Sequence, residues 1–346
     1  KDTNFSRRSF IGKTATIAAG ITLAGTKVWG APNYIPGLLT PNSKINGVQL
    51  GLITYSFRAM KDQSAEAILQ YVVECGISGI ELMGGTAESF NGRPENKIDR
   101  RKYYSMLRKE RKKSLTQEEE KEFKDLKSQM ASYEKEVEEW NKTRSLDGFT
   151  KLRKMYNDAG VDIYAFKPDY LLTAKNSDAN INYAMQAGKI LGASHVTLEL
   201  PRNSSHTLKL GQMAEKNGIY VAYHGHEQQN PTWWDTALNQ SSFNAMNLDL
   251  GHYTAAGNTD ALDLIQNKNQ NIMSMHVKDR QNPANGKKNV SFGKGDTPIK
   301  EVLQLMRDNK YNFAATIEYE YDTPADSSII NEIKKSVAYC KNALES

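Results

Sequence analysis

Several features that would place a chain quickly are scarce here. Two cysteines, Cys75 and Cys340, stand in 346 residues. One pair makes no disulfide framework and excludes a zinc site built of thiolates; both read as reduced or buried thiols. No stripe of lysine and arginine is interleaved with aromatics, and the formal charge of +5 is spread along the chain. That distribution argues against a nucleic-acid partner. No glycine-rich turn of the dinucleotide type follows an early strand, which disfavours an open doubly wound sheet. The apolar run from Thr14 to Gly25 is too short for a comfortable membrane span of about 20 residues, so no stable membrane anchor is expected. Histidine is scarce too, six in all, and three of the six lie in one stretch.

That stretch, from Gly218 to His252, organises the chain. It reads GIYVAYHGHEQQ, a connector, then AMNLDLGHY. Each half is a short apolar run that ends abruptly in ionisable residues, as a buried parallel strand does when it reaches the rim of a sheet. The positions past such carboxyl ends are where α/β folds place their chemistry. Here they hold His224, His226, Asp249 and His252. The same pattern returns at His276 and Lys278 after Ile272–Met275, and at Glu318 and Glu320 after Phe313–Ile317. Residues two apart on a strand face the same way, so each rim carries a pair. Imidazoles and carboxylates from separate strands are the donor set of a divalent cation.

Taken in order, the chain starts with Ser6-Arg7-Arg8-Ser9-Phe10-Ile11-Gly12-Lys13. This resembles a twin-arginine export signal, with the apolar run behind it and a cleavage region near Trp29–Ala31. Periplasmic export is the expectation, and residues 1–40 are set apart as signal and linker. A first strand is expected over 48–57, then a helix from a Ser64 cap to Glu74, and a second strand over 77–82 with Glu81 near its end. Residues 93–145 break the rhythm. They are rich in charge, carry a capping box at Thr116 and Glu119, and predict a helical hairpin with Leu126, Met130, Tyr133, Val137 and Trp140 on its inner face. It reads as a solvated excursion or, more sharply, as a lid or an oligomer contact. Strands follow at 161–166 (then Lys167), 196–200 (with Glu199), 246–250, 272–277 and 313–319. Eight strands with helices between them predict one (β/α)8 barrel domain over 41–346.

The phrases LGLITYSF, GISGIELMGG, AGVDIYAFKP, LGASHVTLELP, VAYHGHE, NLDLGH, MHVKD, FGKGD and TIEYE, in this order, resemble the xylose-isomerase-like TIM barrels of the sugar phosphate isomerase/epimerase group. The resemblance covers about residues 45–342, with 93–145 outside it. It implies one divalent ion (Mn, Mg, Co or Zn) held by Asp249, His276 and Glu318. The fourth ligand of the family is a strand-end glutamate, where this chain offers His224, His226 or Glu199. The fifth strand, YHGH, is similar to inosose dehydratases and to enzymes acting on 3-keto-glycosides.

The resemblance implies proton removal beside the carbonyl of a keto sugar, through an enediolate. Return of the proton elsewhere gives isomerisation or epimerisation; loss of a β-oxygen gives dehydration or glycoside cleavage. Glu318 serves both as ligand and in catalysis. His224 and Glu320 are candidate bases, and Lys167 and Lys278 candidate stabilisers. Substrate contacts are assigned to Glu81, His252, Arg280, Glu320 and Tyr55, with Trp233 and Trp234 as stacking platforms. Glu81 has a structural alternative, a core-rim residue satisfied by backbone. His195 and His206 read as surface or helix-cap residues. The expected partner is a small, unphosphorylated carbohydrate, with a homo-oligomer left open. A non-catalytic sugar-binding barrel is the rival reading. A DNA-repair endonuclease of the same superfamily is discounted, because Glu81 and Lys167 stand where its histidines would be.

Overall fold

The structure, a computed structural model, describes residues 40–346. The twin-arginine-like stretch and the apolar run behind it lie outside the described residues. Eight parallel strands form the barrel: β1 (Val48–Ile53), β2 (Gly79–Met83), β3 (Asp162–Lys167), β4 (His195–Glu199), β5 (Tyr220–His224), β6 (Asn244–Asp249), β7 (Ile272–Val277) and β8 (Ala314–Ile317). Each pairs with its sequence neighbour, and β8 pairs back onto β1, so the sheet closes. A two-residue strand, Lys44–Ile45, turns antiparallel onto β1 at the start. Helices follow the strands and bury their apolar stripes against the outside of the ring. The helix over Ala65–Glu74 is representative: Ser64 accepts from the Ala67 amide, and Ala65, Ile68, Leu69 and Val72 face inward.

The first strand is shorter than the sequence predicts. It ends at Ile53, and Thr54–Phe57 winds into a 3-10 turn over the mouth. The reason lies in its hydroxyls. Thr54 Oγ1 accepts from the Met83 amide and Ser56 Oγ from the Tyr319 amide, so the turn ties the ends of β2 and β8 to β1.

Inside the ring the side chains are polar where branched aliphatics usually dominate. Tyr164 donates to or accepts from Thr316 Oγ1 across the lumen, and a Cβ on Gly51 would collide with that tyrosine hydroxyl. His195 is fully buried, with Ser194 Oγ and Ser274 Oγ each 2.8 Å from a ring nitrogen. His206 is also buried, its Nε2 2.8 Å from the Leu172 carbonyl. Neither is a surface residue: the barrel interior and the helix–loop contact both supply partners that a strand pattern does not reveal. Cys75 and Cys340 are free and buried.

Between β2 and β3 two helices, Arg100–Arg111 and Gln117–Thr143, form a hairpin with its own small core. Ile98, Met106, Phe123 and Leu126 are buried there, with Met130 and Tyr133 packed against them. Thr116 and Glu119 make the reciprocal cap of the long helix. Among the described residues no helix is long and apolar enough to cross a membrane.

Candidate active site

Strand register brings the ionisable residues together. Asp249 lies beside His276 in the β6–β7 ladder, and Glu199 beside His224 in the β4–β5 ladder. At the carboxyl rim, His276 Nδ1 is 3.1 Å from Glu318 Oε2 and 3.7 Å from Asp249 Oδ2, and His224 Nε2 is 3.9 Å from Asp249 Oδ2. Ligand atoms about 2.1 Å from one ion stand roughly 3–3.5 Å apart, close to these spacings. His224, Asp249 and His276 are all buried and bring their ligand atoms within 4.8 Å of one another. His224 Nδ1, the ring nitrogen away from Asp249, is buried with no hydrogen-bond partner, and buried Asp249 Oδ2 has only ion-pair neighbours.

Charge points the same way. Glu81, Asp249, Glu318 and Glu320 gather around Lys278 and His276, with Lys167 acting on Glu81 as well, so carboxylates outnumber the cations at the rim. The Lys278 ammonium is 3.0 Å from Asp249 Oδ2, 2.7 Å from Glu318 Oε2 and 2.6 Å from Glu320 Oε2. Burial raises the Asp249 pKa, Lys278 opposes it, and Glu318 adds to the rise. Burial also pushes Glu318 up, yet Lys278 and His276 bring it well below the usual range. The donor set of His224, Asp249 and His276 therefore fits one divalent cation, with Glu318 beside them against His276 Nδ1.

Glu81 does not reach substrate. It is fully buried under the site, accepting from Thr197 Oγ1 at 2.5 Å and from Asn247 Nδ2 at 3.2 Å, and lying 2.7 Å from His276 Nε2. A carboxylate on one ring nitrogen fixes which nitrogen is left for a metal. Here it presents Nδ1 to the rim. Burial lowers the His276 pKa, but Glu81 and Glu318 outweigh it and lift it to about 10. A proton and a cation are alternatives at Nδ1, so metal binding there releases that proton.

The remaining residues separate into two groups. Glu199 and His226 stand at the exposed edge of the cluster, both about half exposed: Glu199 Oε2 is 3.3 Å from His226 Nδ1, and Glu199 Oε1 is 3.9 Å from His224 Nε2. Lys167 reaches Glu199 at 3.3 Å. His252 stands by His226, ring centres 4.5 Å apart. Its Nδ1 accepts from Arg280, 2.5 Å away, which places the ring's own proton on Nε2. That makes His252 a donor and a poor ligand, although His224, His226 and His252 also lie close together. Burial, then Lys278, His226 and Arg280, push the His252 pKa down to about 2. Arg280 is itself buried, its terminal nitrogens donating to His252, Glu227 and the Lys287 carbonyl and its Nε buried without a partner.

Among the aromatics, Tyr55 is exposed at the mouth. Trp234 is fully buried with its Nε1 donating to the Tyr223 carbonyl, so it is no platform. Trp233 packs edge-on against Trp234 and lines a separate cavity of about 530 Å³ with Leu200 and Arg202. Asp279, given no role by the sequence reading, accepts from the amides of Gly293, Lys294 and Gly295 and pins the FGKGD loop. Asn247 and Thr197 were missed as well. The signal was there: polar residues two apart, His195–Thr197–Glu199 in β4, Asn247–Asp249 in β6 and Ser274–His276 in β7, mark the lumen face.

Comparison with known proteins fits this geometry. No curated protein matches the chain. Solved structures that share its fold at low identity include the following three. A probable 3-DHS dehydratase, AsbF, from Bacillus anthracis is 15% identical, with a TM-score of 0.56 over 84% of this chain and 98% of its own. The IOLI protein with a bound zinc atom is 13% identical, with a TM-score of 0.55 over 86% and 98%. An L-ribulose 3-epimerase is 12% identical, with a TM-score of 0.52 over 86% and 95%. The family described as xylose isomerase-like TIM barrel matches residues 69–343, well over half of the chain, and the protein belongs to that family.

Proposed function

We propose that the protein is a divalent-metal-dependent enzyme that removes a proton beside the carbonyl of a keto sugar, and that it works in the periplasm after export. The observation that carries this reading is the meeting of His224, Asp249 and His276 at one rim, their ligand atoms within 4.8 Å of one another, with Glu318 Oε2 3.1 Å from His276 Nδ1. Bound there, a divalent ion would polarise the carbonyl oxygen, an effect on the order of several kcal/mol. The other tasks fall to side chains. His226, with Glu199 at Nδ1, keeps Nε2 unprotonated and takes the proton from carbon. This assignment replaces His224, which is buried, and Glu320, which is paired with Lys278. Lys278, its ammonium on Asp249, Glu318 and Glu320, holds those carboxylates in place and adds a fixed positive charge beside the oxygen on which charge develops. The Nε2–H of His252 donates to a substrate hydroxyl.

If His226 returns the proton to another carbon or face, the outcome is isomerisation or epimerisation. A second reading, β-elimination, is favoured by one feature: His224 replaces the strand-end carboxylate that a two-carboxylate epimerase uses. His224 is buried and supplies no second carboxylate to return the proton to carbon, so the proton that His226 has taken would pass to the departing β-oxygen.

The test is incubation with free ketoses and 3-keto-glucosides in deuterated water with Mn(II), followed after metal removal by NMR. Exchange of one C–H next to the carbonyl is expected, abolished in Asp249→Asn along with metal binding. A metal-loaded protein that exchanges no C–H in any of these compounds would leave only a sugar-binding barrel.

A further inference from the structure

The inserted hairpin and the turns after β1, β2 and β3 enclose a groove that the proposed chemistry does not use. It consists of two adjoining cavities of about 1000 and 670 Å³ that share Gly85, Ser89 and Glu95. Thr54, Met83 and Pro168 line it, all at the carboxyl ends of β1–β3, so it opens on the same rim as the ionisable cluster. Lys167, just before Pro168, reaches Glu199 at the edge of that cluster.

Aromatic exposure concentrates here. Five large apolar side chains are exposed among the described residues, and three of them, Tyr55, Tyr104 and Tyr170, line this groove. Each ring has an arginine over it: Arg58 at 4.6 Å from the Tyr55 centre, Arg93 at 4.6 Å from Tyr170 and Arg100 at 5.9 Å from Tyr104. A guanidinium on one face holds a ring in place and leaves the rest of it for a ligand.

Below the groove the support is rigid. Tyr170 donates to Glu88 Oε2 at 2.7 Å, and Arg93 pairs with the same oxygen at 2.5 Å, while Glu88 is buried. Arg93 Nε, in the groove wall, is buried with no partner. The lining carries charge of both signs, arginines with Glu95, Glu134 and Glu138, together with Asn96 and Asn141. An anion would meet carboxylates there. A neutral ring with hydroxyls meets tyrosine faces, amides and paired charges, the mixture that small-molecule sites use to bind and orient.

We propose that this groove is a subsite for the second ring of a glycoside, so that the substrate has two rings, one at the ionisable cluster and one between Tyr55, Tyr104 and Tyr170. This rests on the proposed keto-sugar chemistry for the first ring and names the substrate class. The hairpin is then a wall of the binding site, supplying Arg100, Tyr104 and Tyr133.

The test is titration of the full chain, with Mg(II), against glucose, cellobiose and phenyl β-glucoside, with saturation-transfer NMR to show which ring is held. The two-ring probes are expected to bind about tenfold more tightly than glucose, with saturation on the second ring. In Tyr104→Ala and Tyr170→Ala that preference falls toward one, while Tyr170→Phe, which keeps the ring, retains it. Tyr104 is exposed, so its removal leaves folding intact. Equal affinity for all three probes, no binding of any, or a preference untouched by both alanine variants would overturn the subsite. Deuterium exchange into one-ring ketoses does not involve the groove, so failure there would count against the chemistry alone.

Discussion

Two regions of the molecule use the same residue types to opposite ends. Under the rim, Glu81 and His276 are fully buried and bonded to each other, to Thr197, to Asn247 and to Glu318. On the inserted hairpin, Lys102–Glu122, Lys109–Glu119 and Lys127–Glu110 pair across the two helices in water. Water screens the hairpin pairs, so losing a partner there costs little. Inside the barrel, loss of one partner strands a charge that nothing else can solvate. The lesson is that a carboxylate's neighbours, more than its charge, decide what it does. Glu81 is stabilised enough that its pKa falls to about 2: burial pushes it up, and the His276 charge more than reverses that.

The largest effect is expected on breaking the buried side. Glu81→Ala should destabilise the barrel by about 3–5 kcal/mol and weaken metal binding about 10–100-fold, since His276 loses the group that orients it. Denaturant unfolding and metal titration read the two effects separately. A variant with normal metal affinity would show that Glu81 serves stability alone. Next comes the apolar support of the hairpin. Phe123→Ala removes a buried ring from a small satellite core, a loss of about 3–5 kcal/mol. Hydrogen exchange should rise over 98–133 while the barrel strands stay protected.

A third prediction concerns pH. Burial lowers the His195 pKa to about 4, against an unfolded value of 6.5. The neutral ring's contribution is therefore complete above pH 6.5 and declines as pH falls from 6.5 to 4, by about 3 kcal/mol in total. His195→Asn should flatten the stability–pH curve in that window. An unchanged slope would refute the link to His195. The smallest effect belongs to the solvated side: Lys102→Ala should move Tm by less than about 2 °C.

Much of the fold was legible. Strand ends that pass abruptly from apolar to ionisable, as at Tyr223–His224 and Leu248–Asp249, mark the rim of a parallel sheet whatever surrounds them. The capping boundaries at Ser64 and Thr116 were legible for a similar reason: a cap is satisfied within a few residues. Less was legible in the site. The sequence left Glu81 between a substrate contact and a core-rim residue, and His195 between the surface and a helix cap, because nothing near either residue along the chain shows its partners. Those partners, Asn247 and His276 for the one and Ser274 for the other, come from strands far along the chain.

What the sequence settles alone is therefore what local physics settles: strand and helix periods, caps, the order of eight βα units and the residue types available at each rim. Only the closed ring decided which atoms meet. It set Glu199 between His226 and His224, gave Nε2 of His276 to Glu81 and Nδ1 to the rim, and turned His252 into a donor by placing Arg280 on its other nitrogen. Each of these choices depends on contacts between strands separated by tens of residues, fixed by register and burial once the barrel closes.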